Sequence, residues 1–458
     1  ILEQRLFGTN GVRGVANVDL TPQFAIELGA SIGTFFEGGK LLVARDGRTS
    51  SVMLLEATVS GLMQTGCDVY DMGLAPTPAL QYIARSSGMD GAVMITASHN
   101  PPEYNGIKVI DKDGIELERQ KEVEVEKLFF SKGWRPRDWK DLGTRVLRTG
   151  ALNQYKQAMK RHVSEDRIRA ASLKVVVDPG NGVGALVTPY LLRELGCKIS
   201  TINANVDGEF PGRPPEPSIE NLVTLCAAVK AFGADLGVAH DGDADRAIFV
   251  DEMGNAHWGD RSVALVEKYF LLENRGETIV TPVSSSMAVE EVAEANGGKV
   301  VWTPVGSIHV SRTMQKIGAK FGGEENGGIF YGPHLAVRDG AMAAALVVDI
   351  ISKTGKRFST LLSELPTYYS SKSKVTCTDA VKEKVLEKLR DETSKLNVDT
   401  LDGVKIRFED RSWILIRPSG TEPIFRLFAE AKTTARASTL VDEYSQTVSR
   451  IVKNVQLA

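Results

Sequence analysis

The chain has 458 residues, a formal net charge of −3, and 42% hydrophobic against 25% charged residues. That length exceeds what one hydrophobic core serves, so three or four domains are expected. The charge balance excludes the broad basic footprint of a nucleic-acid-binding protein, and no apolar run approaches the roughly twenty residues of a membrane-spanning helix.

The opening stretch, ILEQRLFGTNGVRG, lacks the apolar core of a signal peptide. Thr21-Pro22 reads as a helix start, a capping hydroxyl followed by proline at the first helical position. Residues 41–73 then carry a pattern that returns at 174–204 and at 278–306. Each copy is a short β-branched run, a polar turn rich in Gly or Ser, and a segment of helical period. Each closes on Gly-Cys or Gly-Gly before another apolar run. This is a strand–helix–strand unit, with the glycine suited to a left-handed helix cap. Three copies imply three α/β domains with mainly parallel sheets. Cys67 and Cys197 occupy matching places in the repeat, as small buried residues would. With Cys226 and Cys377 they show no CxxC spacing, and free thiols suit a reducing cytoplasm.

Between the repeats lie the chemical candidates. The apolar run Ala92–Thr96 leads into Thr96-Ala97-Ser98-His99-Asn100-Pro101. A loop at the carboxyl end of a strand is where α/β sheets place ligands, and Ser98 there suits a nucleophile or phosphate carrier. A plain cap or an Asn-Pro turn is the alternative. Ser218 is placed to cap a helix reaching Phe232. Strand-like runs at Leu236–Ala239 and Ala247–Val250 flank Asp241-Gly242-Asp243-Ala244-Asp245-Arg246. Three carboxylates at alternate positions converge readily on a hard cation such as Mg²⁺. An EF-hand is disfavoured even though Glu252 falls at the twelfth position. Arg246 replaces the required glycine, and the flanks are not helices.

The third repeat leads to Gly322-Gly323-Glu324-Glu325-Asn326-Gly327-Gly328, with acceptors and donors suited to sugar hydroxyls. Leu365-Pro366-Thr367 reads as a linker. Beyond it are a strand near Lys374–Cys377, a charged helix over Ala380–Lys395, strands at Val404–Phe408, Trp413–Arg417 and Phe425–Ala431, and a final helix. Short turns between strands predict an antiparallel α+β domain. Its loop Arg417-Pro418-Ser419-Gly420-Thr421-Glu422-Pro423 has the arginine, hydroxyls and open backbone of a phosphate cradle. A Walker motif is absent. The expected divisions are 1–152, 153–252, 253–366 and 367–458. A phosphate carrier, a metal site, a sugar site and a phosphate cradle on successive domains make a set for phosphoryl transfer on a sugar phosphate.

In the order and content of these loops, the whole chain resembles the α-D-phosphohexomutase family, in its archaeal type. The resemblance implies three related mixed-sheet α/β domains and a C-terminal α+β domain around a central cleft. It implies an intramolecular phosphotransferase interconverting hexose 6-phosphate and hexose 1-phosphate. Ser98 would carry the phosphoryl group and, with Asp241, Asp243 and Asp245, hold Mg²⁺. Glu324 and Asn326 would hold sugar hydroxyls, while Arg417, Ser419, Gly420 and Thr421 grip the non-reacting phosphate. Arg13 in FGTNGVRG, Lys108 in Tyr104–Lys108, and Arg246 match basic residues near the reacting oxygen. A sugar 1,6-bisphosphate would serve as activator, and a homodimer through the first domains is an arrangement the family allows.

FGTNGVRG and RPSGTEP look most like phosphoglucosamine mutases. The third loop and Asp207–Arg213 also fit archaeal mutases that accept glucose or mannose phosphates. Glucosamine phosphate is therefore the expected substrate, with a broader phosphomannomutase or phosphoglucomutase as the alternative. The chain departs from many relatives at Gly328, where they carry histidine, and at Ser307, where some carry a polar or basic contact. His309 reads as a surface residue. A sensor built on an inactive mutase would have lost Ser98 or a metal carboxylate, and neither is lost. A phosphatase would have no need of the Arg417 loop.

Overall fold

A computed structural model describes residues 5–8, 10–419 and 422–457. The first sheet contains β1 (Val12–Val15), β2 (Lys40–Arg45), β3 (Asp68–Leu74), β4 (Gly91–Ile95), β5 (Tyr104–Asp111) and β6 (Arg145–Leu147), in the order β1-β5-β4-β2-β3-β6. The second contains β7 (Lys174–Asp178), β8 (Lys198–Thr201), β9 (Leu236–His240), β10 (Ala247–Asp251) and β11 (Ala256–His257), in the order β11-β10-β9-β7-β8. The third, from β12 (Thr278–Pro282), β13 (Lys299–Thr303), β14 (Phe321–Gly323) and β15 (Ile329–Tyr331), runs β13-β12-β14-β15.

These three sheets share one plan. The repeat supplies two parallel strands, β2–β3, β7–β8 and β12–β13. A third strand joins in parallel, β4, β9 or β14. The chain then turns back as an antiparallel neighbour, β5, β10 or β15. The sheets are thus mixed rather than mainly parallel, because a short loop can only return a strand antiparallel. The strands β4 and β9 are buried along their full length, as continuous apolar runs covered on both faces should be.

Helix ends follow the local chemistry. Thr21 accepts a hydrogen bond from the Phe24 amide at the start of Pro22–Phe35. Gly66, Gly196 and Gly297, which close the repeat helices, all have positive φ. Ser218 departs from expectation. Its side chain makes no cap bond, and a 3₁₀ turn over Ile219–Leu222 precedes the helix Val223–Phe232.

The fourth sheet contains β16 (Tyr369–Thr376), β17 (Asn397–Asp399), β18 (Val404–Arg407), β19 (Trp413–Pro418) and β20 (Ile424–Ala431), in the order β16-β20-β19-β18-β17. It is antiparallel throughout. Val385, Leu389, Leu440, Val448 and Ile451 of two helices cover one face. Cys67, Cys197 and Cys377 are buried and all four cysteines are free. No helix among the described residues is long and apolar enough to cross a membrane.

Candidate functional site

Each of the four sheets places one candidate loop in the same way, between a strand and its antiparallel neighbour. Ser98 follows β4, Asp241–Arg246 follows β9, Glu324–Gly328 follows β14 and Ser419 follows β19. The first three loops therefore leave the carboxyl ends of parallel strands, where α/β sheets put ligands. They meet with the fourth around a cleft of about 920 Å³. The cleft is lined by Arg13, His99 and Asn100 from the first unit, Arg246 from the second, Ser307, Glu324, Asn326 and Arg338 from the third, and Glu422 and Arg426 from the fourth.

Ser98 has φ of 52°, a left-handed conformation that costs energy for a residue with a Cβ. Its surroundings hold it there. Its amide donates to Thr96 Oγ1 (2.9 Å), and Thr96 Oγ1 donates to Asp46 Oδ2 (2.7 Å). The buried Arg48 donates to four carbonyls of the loop, those of Ser98, Asn100, Pro101 and Tyr104, at 2.6–3.0 Å. Ser98 Oγ donates to Asp241 Oδ2 (2.7 Å) and lies 3.3 Å from His99 Nδ1.

Asp241, Asp243 and Asp245 are all buried, and their carboxylate oxygens lie within 4.8 Å of one another. Burial pushes the Asp241 carboxyl well above the usual carboxylate range, and the charges of Asp245 and Asp243 add to this. Burial acts the same way on Asp243, but Lys108 (2.8 Å) and Thr77 (2.6 Å) outweigh it and hold that carboxyl well below the range. Asp243 Oδ1 and Asp245 Oδ1 are buried without a hydrogen-bond partner. Unpartnered hard oxygens converging in a buried loop fit a divalent cation of the Mg²⁺ type. Glu252, the nominal twelfth calcium position, turns away and accepts from the Ser359 amide and hydroxyl.

Cations ring this centre. Lys108 is fully buried, with Nζ 2.8 Å from Asp243 and 3.8 Å from Asp245. Arg13 donates to Asn100 Oδ1 (2.7 Å), and burial lowers its guanidinium to about 10. Arg246 pairs with Glu216 (3.0 Å), which also lies 3.6 Å from His99. Burial and the charges of Arg246, Arg13 and Arg338 hold His99 neutral.

Arg338 was not singled out from sequence. It donates to Asp245 Oδ2 (2.5 Å) and Glu324 Oε2 (3.3 Å), joining the Asp241–Asp245 loop to the Glu324–Gly328 loop. It also explains Gly328. A Cβ there would lie 2.5 Å from Arg338 Cδ, so the arginine stem occupies the space a side chain would need. The nearest sequence signal was a charge at Arg338-Asp339-Gly340, between apolar residues and just before a helix. Arg48, in Asp46-Gly47-Arg48, was equally unmarked.

On the fourth unit, Arg417 pairs with Asp402 (3.0 Å). Lys382 supports the adjoining loop from behind, donating to the Ser419 and Glu422 carbonyls (both 2.6 Å). Gly420 and Thr421 lie outside the described residues. Asn326 Oδ1 accepts from the Gly328 amide (3.1 Å), and His309 is exposed.

Known proteins match this chain over nearly its whole length. Four models of phosphoglucomutase/phosphomannomutase match in order: α/β/α domain I over residues 4–135, domain II over 153–254, domain III over 258–369, and the C-terminal domain over 373–446. A phosphoglucomutase/phosphomannomutase of Thermococcus kodakarensis is 46% identical over 440 residues, 94% of this chain and 96% of the relative. A phosphoglucosamine/phosphogalactosamine mutase of Sulfurisphaera tokodaii is 46% identical over 453 residues, 97% of this chain and 99% of the relative. The crystal structure of a phosphoglucomutase/phosphomannomutase family protein from Burkholderia thailandensis superposes with a TM-score of 0.88 at 28% identity, covering 100% of this chain and 98% of that one.

Proposed function

The chain belongs to the phosphoglucomutase/phosphomannomutase family, and from that premise we propose that it interconverts hexose 6-phosphate and hexose 1-phosphate with the phosphoryl group carried on Ser98. The observation that carries this reading is the Ser98 hydroxyl, 2.7 Å from Asp241 in a buried carboxylate triad at the foot of a cleft ringed by arginines.

Ser98, Asp241, Asp243 and Asp245 would hold Mg²⁺, which supplies positive charge to offset that of the transferring phosphoryl group. The chain's own groups do the rest. Arg417 and Ser419, with Gly420 and Thr421, grip the non-reacting phosphate. Glu324 and Asn326 fix the sugar hydroxyls so that one free hydroxyl faces the Ser98 phosphate. That oxygen bonds to phosphorus as the bond from phosphorus to Ser98 Oγ breaks. The attacking hydroxyl loses its proton as the new bond forms, and Ser98 Oγ takes up a proton as it is released, so the net transfer is of one proton from the sugar hydroxyl to the serine. Arg13, Lys108, Arg246 and Arg338 balance the charge that builds up. The sugar 1,6-bisphosphate then turns over in the cleft, and its other phosphate passes to Ser98. An added sugar 1,6-bisphosphate activates by recharging Ser98.

Glucosamine 6-phosphate is the substrate we favour, from the FGTNGVRG and RPSGTEP segments and the Sulfurisphaera relative. The Thermococcus relative, equally similar but named for glucose and mannose phosphates, supports broad specificity as the second reading. A pocket that merely tolerates a change at C2 discriminates poorly. A cytoplasmic enzyme acting on small sugar phosphates, free or as a homodimer, completes the proposal.

The test is a mutase assay with Mg²⁺ and a trace of glucose 1,6-bisphosphate. It compares glucosamine 6-phosphate, glucose 1-phosphate and mannose 1-phosphate, for wild type and Ser98→Ala. A lead of more than about tenfold in kcat/KM, roughly 1.4 kcal/mol, establishes the glucosamine preference. Comparable values establish the broad one. Substantial activity in Ser98→Ala refutes the phosphoserine.

A further inference from the structure

One carboxylate outside the catalytic centre joins the third unit to Arg417 on the fourth. Asp402 sits in the turn between β17 and β18. The next residue, Gly403, has φ of 86°, and a Cβ there would lie 2.3 Å from the Ile416 carbonyl oxygen and 2.9 Å from Arg417 Cα. Only glycine lets this turn press against the end of β19. The close approach lays Asp402 along the Arg417 guanidinium. Nε donates to Oδ1 at 3.3 Å, and NH2 lies 3.0 Å from Oδ2. The same Oδ2 accepts the backbone amide of Val305, 2.9 Å away on the third unit. Val305, Gly306 and Ser307 line the cleft together with Glu324 and Asn326.

The geometry points to Asp402 as a positioning residue. It presents Arg417 to the non-reacting phosphate and fastens the 305–307 wall to the same carboxylate. This inference rests on the mutase reading above for the identity of that phosphate.

A guanidinium has five N–H donors in a rigid fork. Asp402 occupies the edge that carries Nε, which leaves the NH1 donors and the second NH2 donor for a phosphate. A free arginine would have to find that orientation at each encounter, and the phosphate would lose part of the benefit of a preorganised grip. The shared Oδ2 adds a second consequence. A phosphate pulling on Arg417 pulls Asp402, and with it the amide of Val305, so gripping the phosphate and holding the sugar-side wall become one event. A bisphosphate that must turn over before its second transfer needs the third and fourth units to stay together while neither phosphate is on Ser98. The pair is partly open to solvent, with side-chain exposures of 22% for Arg417 and 19% for Asp402. An ion pair of that kind contributes little to folding, so its link to the cleft-lining Val305 is better explained by positioning than by stability.

The test uses the full chain with Asp402→Asn and Asp402→Ala, Arg417→Ala, and the double variant Asp402→Asn/Arg417→Ala. Three quantities are measured: kcat and KM, the glucose 1,6-bisphosphate concentration that gives half-maximal rate, and the melting temperature. Binding of glucose 6-phosphate is measured by calorimetry in a Ser98→Ala background, where no turnover occurs. Asp402→Asn and Asp402→Ala should each raise KM, the half-activating bisphosphate concentration and the calorimetric Kd by about tenfold, with kcat at saturation changed less than about threefold. The double variant should bind no more weakly than Arg417→Ala alone, because Asp402 acts through that arginine. Unchanged binding in Asp402→Asn, full additivity with Arg417→Ala, or failure of Asp402→Asn to fold would each overturn the inference. A wild type that binds glucose 6-phosphate but shows no mutase activity removes the mutase reading alone, and the calorimetry still decides the role of Asp402.

Discussion

Arg48→Met tests how the Ser98 loop is held. Arg48 is 1% exposed and its partner Asp46 is fully buried, with Nε 3.1 Å from Oδ2. The guanidinium lies 5.1 Å over the Phe210 ring of the second unit and donates to the four loop carbonyls. Methionine fills the space of the stem but leaves those carbonyls without this donor and Asp46 without a countercharge. Removing one partner of a buried ion pair costs about 3–5 kcal/mol. In a unit of this size each kcal/mol moves the melting temperature by about 2–4 °C, so the transition carrying the first unit should fall by about 6–20 °C. Calorimetry reads this directly, and kcat should fall at least about a hundredfold as Ser98 leaves its strained conformation. The double variant Asp46→Asn/Arg48→Met removes the stranded charge and should recover part of the loss. A melting temperature within about 2 °C of wild type, or a double variant no more stable than Arg48→Met, would refute the argument.

Three further outcomes are expected. Gly328→Ala drives a methyl group into Arg338 Cδ and should lower kcat by about tenfold or more by moving that guanidinium off Asp245 and Glu324; wild-type kinetics would show that Arg338 yields freely. Mg²⁺ at a hundred times its Kd should stabilise the wild type by about 2.7 kcal/mol. Asp241→Asn should lose that increment in a thermal shift while the metal-free protein stays folded. Glu267, on the buried helix Gly259–Glu273, has neither carboxylate oxygen hydrogen-bonded, and burial alone raises its carboxyl well above the usual range. The folded chain therefore keeps a proton that the unfolded chain gives up above about pH 4.3, and stability is lost as pH rises from there. Glu267→Leu should be more stable than wild type near neutral pH, by about 1–3 kcal/mol. That advantage should narrow as pH falls towards 4; an equal or lower melting temperature at pH 7 would count against it.

The relation between chain and structure is clearest at particular residues. Period and turn chemistry are local, so the repeats, the cap at Thr21 and the exclusion of an EF-hand were legible from residue order alone. The alternating carboxylates at Asp241, Asp243 and Asp245 likewise announced a convergent site, because a tight loop leaves three such side chains little choice but to share one side. Ser218 shows the limit. A good capping residue was present, but the chain entered the helix through a 3₁₀ turn, and no side-chain bond formed.

Arg48, Arg338, Glu216 and Asp402 lie 50, 93, 30 and 97 residues from Ser98, Asp245, Arg246 and Val305, their partners at the site. An isolated arginine or aspartate in a sequence carries no mark of the partner it will meet. The order of elements, the loops that can carry phosphate, metal and sugar, and the class of chemistry were thus determined by sequence, because each depends on neighbours within about a dozen residues. Which cations face the triad, why Gly328 has no side chain, and how the third and fourth units share the Asp402 carboxylate were decided only when four sheets brought their loop ends together. Charge and steric contact act over ångströms in space, whatever the distance along the chain.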